Sequence, residues 1–261
     1  MSRGDGFGRL GAVARHDLRI LQRDPAFLII FTVMPLLFMA FNDRVFGAAL
    51  TVELGTETNG AAFVVPGATV LFSGFLVGNL GFGIFREHGW GTWERLRCSP
   101  LSPVDLMAGK AVVPILTTAL QISVLLGGGA LLFGLELEGS LPGFVLVAAT
   151  LVLMEVTLGF MLLSLCRSVI QLNAFSNAGA MLVGGLGGAV TPVEFLPGWA
   201  QAVAPLTPAY WAMEGFLAVT LEPGGLADVA GPVGVLVGFS AVFALVAIRR
   251  FDVEDTKISW A

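Results

Sequence analysis

Between two long apolar runs stands a short polar, basic stretch, residues 85–110. It carries Arg86-Glu87, then Trp93-Glu94-Arg95-Leu96-Arg97, and closes on Gly109-Lys110. These residue types suit a grip on another macromolecule. Trp93 and Leu96 are three apart and share a helical face, with Glu94, Arg95 and Arg97 available for polar contacts. Tryptophan flanked by arginine is a common energetic anchor at interfaces. A blander reading stands beside this one: the arginines only sort the topology, and Trp90 and Trp93 only sit at headgroup depth. Nucleotide chemistry is excluded for this stretch. A phosphate cradle needs G-x-x-x-x-G-K-[ST], but Ala111 follows Gly109-Lys110 and Val104 stands where the first glycine belongs.

Other candidates for chemistry are few. Glu155 is the single acid deep within an apolar run, and an intramembrane carboxylate is a functional candidate by default. It can face a substrate path, carry a proton, or bond another helix. Asn79, Gln121, Asn173 and Asn177 suit hydrogen bonds between helices. His16 and His88 are far apart, Cys98 and Cys166 make neither a zinc nor a disulfide framework, and no nucleophile motif occurs. Neither a metal nor a bound cofactor is expected.

The elements that position these residues follow from composition. The chain has 261 residues, 56% hydrophobic and 13% charged, with mean hydropathy +0.85. Soluble domains carry about 25% charged residues, so this is an all-α polytopic membrane protein. Its net charge of −5 is mild and gives no sign of nucleic-acid binding. Six spans are expected, at about 26–46, 61–85, 111–135, 141–166, 169–190 and 226–248, within a single transmembrane domain over 1–261. Pro35 is a candidate kink in the first, and Gly231-Pro232 interrupts the start of the sixth. Thirteen of the 14 Lys and Arg residues fall on one side when these spans alternate, with Arg44 on the other. The positive-inside rule then makes the loop at 86–110 and both termini cytoplasmic in a multi-pass cell-membrane protein. The start of the chain does not resemble a cleaved signal peptide.

Two flanking features complete the plan. Residues 7–24 place Phe7, Leu10, Ala14, Leu18 and Leu21 on one stripe and arginines around it, as an interfacial amphipathic helix does. Residues 191–221 are apolar enough to enter a bilayer but are broken by Pro192, Pro197, Pro205 and Pro208. Two short helices are predicted there, at about 197–204 and 208–219, as an external re-entrant hairpin, with Trp199, Tyr210 and Trp211 favouring interface depth. Gly74/Gly78, Gly184/Gly188 and Gly234/Gly238 offer small faces for helix packing.

This plan, with these residues, resembles the permease subunits of type-2 ABC exporters, including the drug-resistance branch. The loop carries one match, in Arg86-Glu87, Gly91-Thr92, Glu94-Arg95-Leu96, Ser99-Pro100 and Gly109-Lys110. The hairpin carries the other, in Pro192, Leu196-Pro197-Gly198-Trp199, and Pro205 through Tyr210-Trp211 with Glu214. Trp90 and Trp93 depart from a zone that is more polar or aliphatic in the family. The resemblance implies a coupling helix gripped by a separate ATPase subunit, which would bind ATP and Mg. It also implies a second permease subunit and export of an amphipathic or hydrophobic compound. Polysaccharide or glycolipid export within the same superfamily, and a proton-coupled transporter using Glu155, are the rival readings.

Overall fold

The computed structural model describes residues 26–54, 59–97 and 103–250, together with Arg15, Leu18 and Arg19. All elements among the described residues are helical. In chain order they are α1 (Ala26–Leu54), α2 (Ala61–Gly89), α3 (Thr92–Arg97), α4 (Pro103–Phe133), α5 (Leu141–Leu165), α6 (Val169–Leu186), α7 (Gly198–Val203), α8 (Pro208–Thr220) and α9 (Ala230–Arg250). Single 3-10 turns cover Val193–Phe195 and Ala204–Leu206. Six helices, α1, α2, α4, α5, α6 and α9, are long and apolar enough to cross a membrane. The expected interfacial helix at 7–24 lies outside the described residues except for Arg15, Leu18 and Arg19, which are helical, with both arginines exposed.

α2 is the axis of the bundle. Of its apolar segment 89% is buried, against 11% for α1 and 17% for α6 and α9. The core runs from Phe63, Val64 and Ala68 on α2 to Val147 and Leu151 on α5, Met213 and Phe216 on α8, and Leu236 on α9. Phe46 of α1 stacks on Phe63, and Phe144 meets Phe216 edge-on. Glycine lets α2 and α6 approach closely: a Cβ on Gly74 would stand 3.3 Å from Ala180 Cβ, and one on Gly78 3.1 Å from Ser176 Cβ. The two helices are antiparallel along this seam, since Gly74 faces Ala180 while Gly78 faces Ser176. Small residues here serve packing, as in membrane helix pairs generally. Gly234 and Gly238 differ from that expectation, because nothing lies within 4 Å of a Cβ on either.

Helix ends follow local chemistry. Ser140, Ser168 and Thr207 accept hydrogen bonds from the amides of Gly143, Gln171 and Tyr210, capping α5, α6 and α8. Pro208 and Pro232 sit in first turns, where a missing N–H costs nothing. The sixth span thus begins at Ala230, just ahead of Gly231-Pro232, and not at 226. α1 runs to Leu54, past the apolar run that ends near 46, so Glu53 is helical along with Asp43 and Arg44. Local bonds carry it onward: Asn42 Nδ2 donates to Phe38 O at 2.8 Å, and Thr51 Oγ1 donates to Gly47 O at 2.8 Å.

At the end of the bundle where α2 begins, three connections are laced together. Asn59 Nδ2 donates to Gly134 O at 2.7 Å, Ser140 N donates to Gly224 O at 2.8 Å, and Thr220 Oγ1 donates to Ala62 O at 2.9 Å. The second hairpin helix, α8, therefore rests on the start of α2. The charged loop stands at its other end, about 40 Å away at 1.5 Å per residue.

Candidate functional site

The charged loop begins as α2 ends. Gly91 has φ +67°, a left-handed conformation that glycine adopts without a Cβ penalty, and its amide donates to His88 O at 3.2 Å. This turn sends the chain back at once into α3. Thr92 Oγ1 donates to Glu87 O at 3.3 Å across the corner. The side chains of Arg86, Arg95, Leu96 and Arg97, and all of residues 98–102, lie outside what is described. The helix after them starts at Pro103, ahead of the third span's expected start at about 111.

Trp93 turns inward. It is 3% exposed and packs with Phe85 of α2, Leu163 and Cys166 at the end of α5, and Leu172 of α6. His88 stacks on its ring, with centroids 4.6 Å apart and planes 24° apart. Glu87 is also buried, in an ion pair with Lys110 of α4. So α3 is seated on the α5–α6 corner by Trp93, while α2 and α4 are tied by a charge pair just above it. Glu94 and Trp90 face outward, the latter 59% exposed. Of the residues expected to meet a partner, Glu94 is thus on the surface, and Glu87 and Trp93 hold the loop in place. Sequence reasoning placed Lys110 at the end of the loop but not its pairing with Glu87, and missed Leu163, Cys166 and Leu172 as parts of the site, because these come from elements outside α3.

Within the spans, Glu155 is buried, and Ser73 of α2 donates a 2.6 Å hydrogen bond to its Oε1. Its Oε2 is buried without a hydrogen-bond partner. Gln121 bridges three helices, with Nε2 donating to Phe31 O of α1 at 2.8 Å and reaching Phe72 O of α2 at 3.4 Å. Both act between helices, as membrane polar groups commonly do. Asn79 is helical, and its side chain is not described. Glu155→Gln keeps the acceptor for Ser73 but carries no proton load. The variant is expected to hold stability within about 1 kcal/mol of the original and to keep its transport. Thermal melting in detergent and vesicle transport check this; loss of transport in an intact fold would favour Glu155 as a proton carrier.

The second candidate region is the hairpin. Trp211 Nε1 donates to Pro205 O at 2.8 Å, closing the corner between α7 and α8, and the rings of Tyr210 and Trp211 meet edge-on at 5.3 Å. Pro197 and Trp199 are exposed, whereas Pro208 is buried. Behind the hairpin lies a cavity of ≈ 170 Å³ lined by Phe63, Glu194, Tyr210, Met213 and Glu214 among others. Burial of the Glu214 carboxyl is the main cause that lifts it above the usual carboxylate range; the Tyr210 hydrogen bond opposes this, and Glu194 and Glu222 add to it. The Tyr210 phenol is pushed up by burial first and then by Glu214 and Glu194.

A charged corner seated under a six-span bundle, with a proline-built hairpin at the far end, now has a sequence counterpart. The pattern of the ABC-2 type transporter matches residues 9–221. The chain belongs to that family. It is similar to the linearmycin resistance permease protein LnrN of Bacillus subtilis (strain 168), 26% identical over 72% of this chain and 49% of that protein. It is similar to the probable multidrug ABC transporter permease YbhR of Escherichia coli (strain K12), 29% identical over 56% of this chain and 40% of that one. The daunorubicin resistance ABC transporter permease protein DrrB1 of Streptomyces coeruleorubidus is 24% identical over 87% of this chain and 80% of its own length. The chain spans about half the length of the first of these relatives. No solved structure matches it significantly. An ABC-2 permease is a multi-pass membrane protein and a transport subunit, in agreement with the six apolar helices.

Proposed function

We propose that this chain is the membrane-spanning subunit of an ATP-driven exporter whose separate ATPase subunit docks on residues 86–97. The observation that carries the reading is the seating of α3: a short helix with an outward Glu94, preceded by an outward Trp90 on the turn and wedged by Trp93 onto the α5–α6 corner. A push on that helix reaches α5 and α6 through Trp93, and α2 and α4 through the Glu87–Lys110 pair. ATP and Mg belong to the ATPase subunit, and hydrolysis would rock the helices. Arg86, Arg95, Leu96 and Arg97 would complete the docking surface. The skew of Lys and Arg supports a cytoplasmic loop and cytoplasmic termini. One such loop per chain supports a second permease subunit across a central path. The hairpin over 191–221 would enter the membrane from the outside and return. Relatives named for multidrug transport and for linearmycin and daunorubicin resistance support an amphipathic or hydrophobic cargo, moved out of the cytoplasm.

Glu94→Arg tests the docking claim. The residue is exposed, so reversal of its charge is expected to leave membrane insertion unchanged, with thermal melting as the check on the fold. Co-purification with the ATPase subunit is expected to fall by about tenfold, the effect of roughly 1.4 kcal/mol. Unchanged assembly and coupled ATPase activity in this variant would remove the loop from the interface.

A further inference from the structure

The cavity behind the hairpin has a one-sided chemistry that the exporter reading does not use. Its lining includes Phe63 at the start of α2, Gly187 and Gly188 just past α6, Glu194 on the 3-10 turn, and Tyr210, Met213, Glu214 and Leu217 on α8. Apolar side chains make one wall. The polar wall is two carboxylates and a phenol, with no Lys, Arg or His among the lining residues. Among the described residues, neither Glu194 nor Glu214 has an ion-pair partner. The C-terminal end of α6 reaches the cavity at Gly187, and a helix C-terminus carries partial negative charge. Glu222 adds a further negative field at Glu214. Each polar component therefore favours the same sign of ligand charge.

We propose that this cavity binds the head of an amphipathic organic ammonium, its charge between Glu194 and Glu214 and its apolar body against Phe63, Met213 and Leu217. A metal ion fits less well: the described residues hold no cluster of three His, Cys, Asp or Glu side chains able to take one. The volume of ≈ 170 Å³ is below the roughly 300–1,000 Å³ of pockets that enclose whole drug-sized ligands. It suits a quaternary or protonated amine with one adjoining ring, the rest of a larger molecule projecting outward. The phenol of Tyr210 adds a π face, which attracts such cations. As a station for departing cargo the site rests on the exporter reading; as a binding site it needs neither ATP nor a partner.

The test uses the full chain in lipid nanodiscs without ATPase subunit. The probe is benzyltrimethylammonium, whose charge is fixed at every pH, with neopentylbenzene as its neutral shape match. Binding is read by saturation-transfer NMR and calorimetry, and thermal melting confirms the fold of each variant. The ammonium is expected to bind and its neutral match to bind at least about tenfold more weakly. Glu214→Gln and Glu194→Gln are each expected to weaken the ammonium by about tenfold, and Leu217→Ala to weaken both compounds alike. No binding, equal binding of the two compounds, or indifference to both carboxamide variants in a folded protein would overturn the proposal. A site confirmed in this way, in a chain whose Glu94→Arg variant still assembles normally, would leave the ligand assignment standing and remove the docking model alone.

Discussion

Lys110→Met is expected to destabilise the protein by about 3–5 kcal/mol, the usual cost of removing one partner from a buried ion pair. Lys110 and Glu87 are both buried and join α4 to the last turn of α2. Removing the ammonium leaves the Glu87 carboxylate in its low-dielectric seat without that cation. The cost comes from stranding a charge, and not from the net worth of the pair, because desolvation largely offsets the attraction between the two groups. A second substitution therefore distinguishes the two. The double variant E87M/K110M is expected to recover most of the loss, since two apolar side chains of similar length replace two desolvated charges. Thermal melting of the four proteins in one detergent gives the cycle. If the double variant is as weak as the sum of the singles, the pair is not a coupled unit. Transport is a separate readout: the recovered double variant should fold yet lose a fixed tie between α2 and α4 next to α3.

The long apolar helices and the two short helices between α6 and α9 were legible because both are written in strong, local signals. A long apolar run, interrupted by the single acid Glu155, defines α5, predicted at 141–166 and found at Leu141–Leu165. Proline places the hairpin helices, predicted at 197–204 and 208–219 and found at Gly198–Val203 and Pro208–Thr220. The overrun of α1 to Leu54 was not legible, since hydropathy marks where lipid ends and not where backbone hydrogen bonding ends. The loop shows a different limit. Spacing says that Trp93 and Leu96 share a face, but it does not say what that face meets. Trp93 was free to point to a partner or to the bundle until α5 and α6 were placed, and its contacts Leu163, Cys166 and Leu172 lie some 70 residues or more downstream. The Glu87–Lys110 tie spans two helices and a proline-rich break, so no periodicity connects its ends.

The inward Trp93 yields the second large effect. Trp93→Ala is expected to cost about 3–5 kcal/mol, as truncation of a large buried aromatic does, and to cut coupling more than assembly. Under the proposed docking two surfaces of the loop part company. Glu94 of α3 and Trp90 of the turn before it are outward and would decide whether the ATPase subunit binds; Trp93 is inward and would decide whether its motion reaches the α5–α6 corner. Trp90→Ala, at an exposed position, is expected to leave melting nearly unchanged and to weaken ATPase co-purification. Trp93→Ala should still co-purify, hydrolyse ATP, and transport little per ATP consumed. Trp93→Phe keeps an aromatic ring against Phe85 and Leu163 and should restore much of the transport. The decisive ratio is cargo moved per ATP hydrolysed in proteoliposomes at a temperature where the variant remains folded. Should that ratio stay at its original value in Trp93→Ala, force does not pass through this contact. The Glu87–Lys110 tie to α4 would then be the route by which the loop moves the bundle.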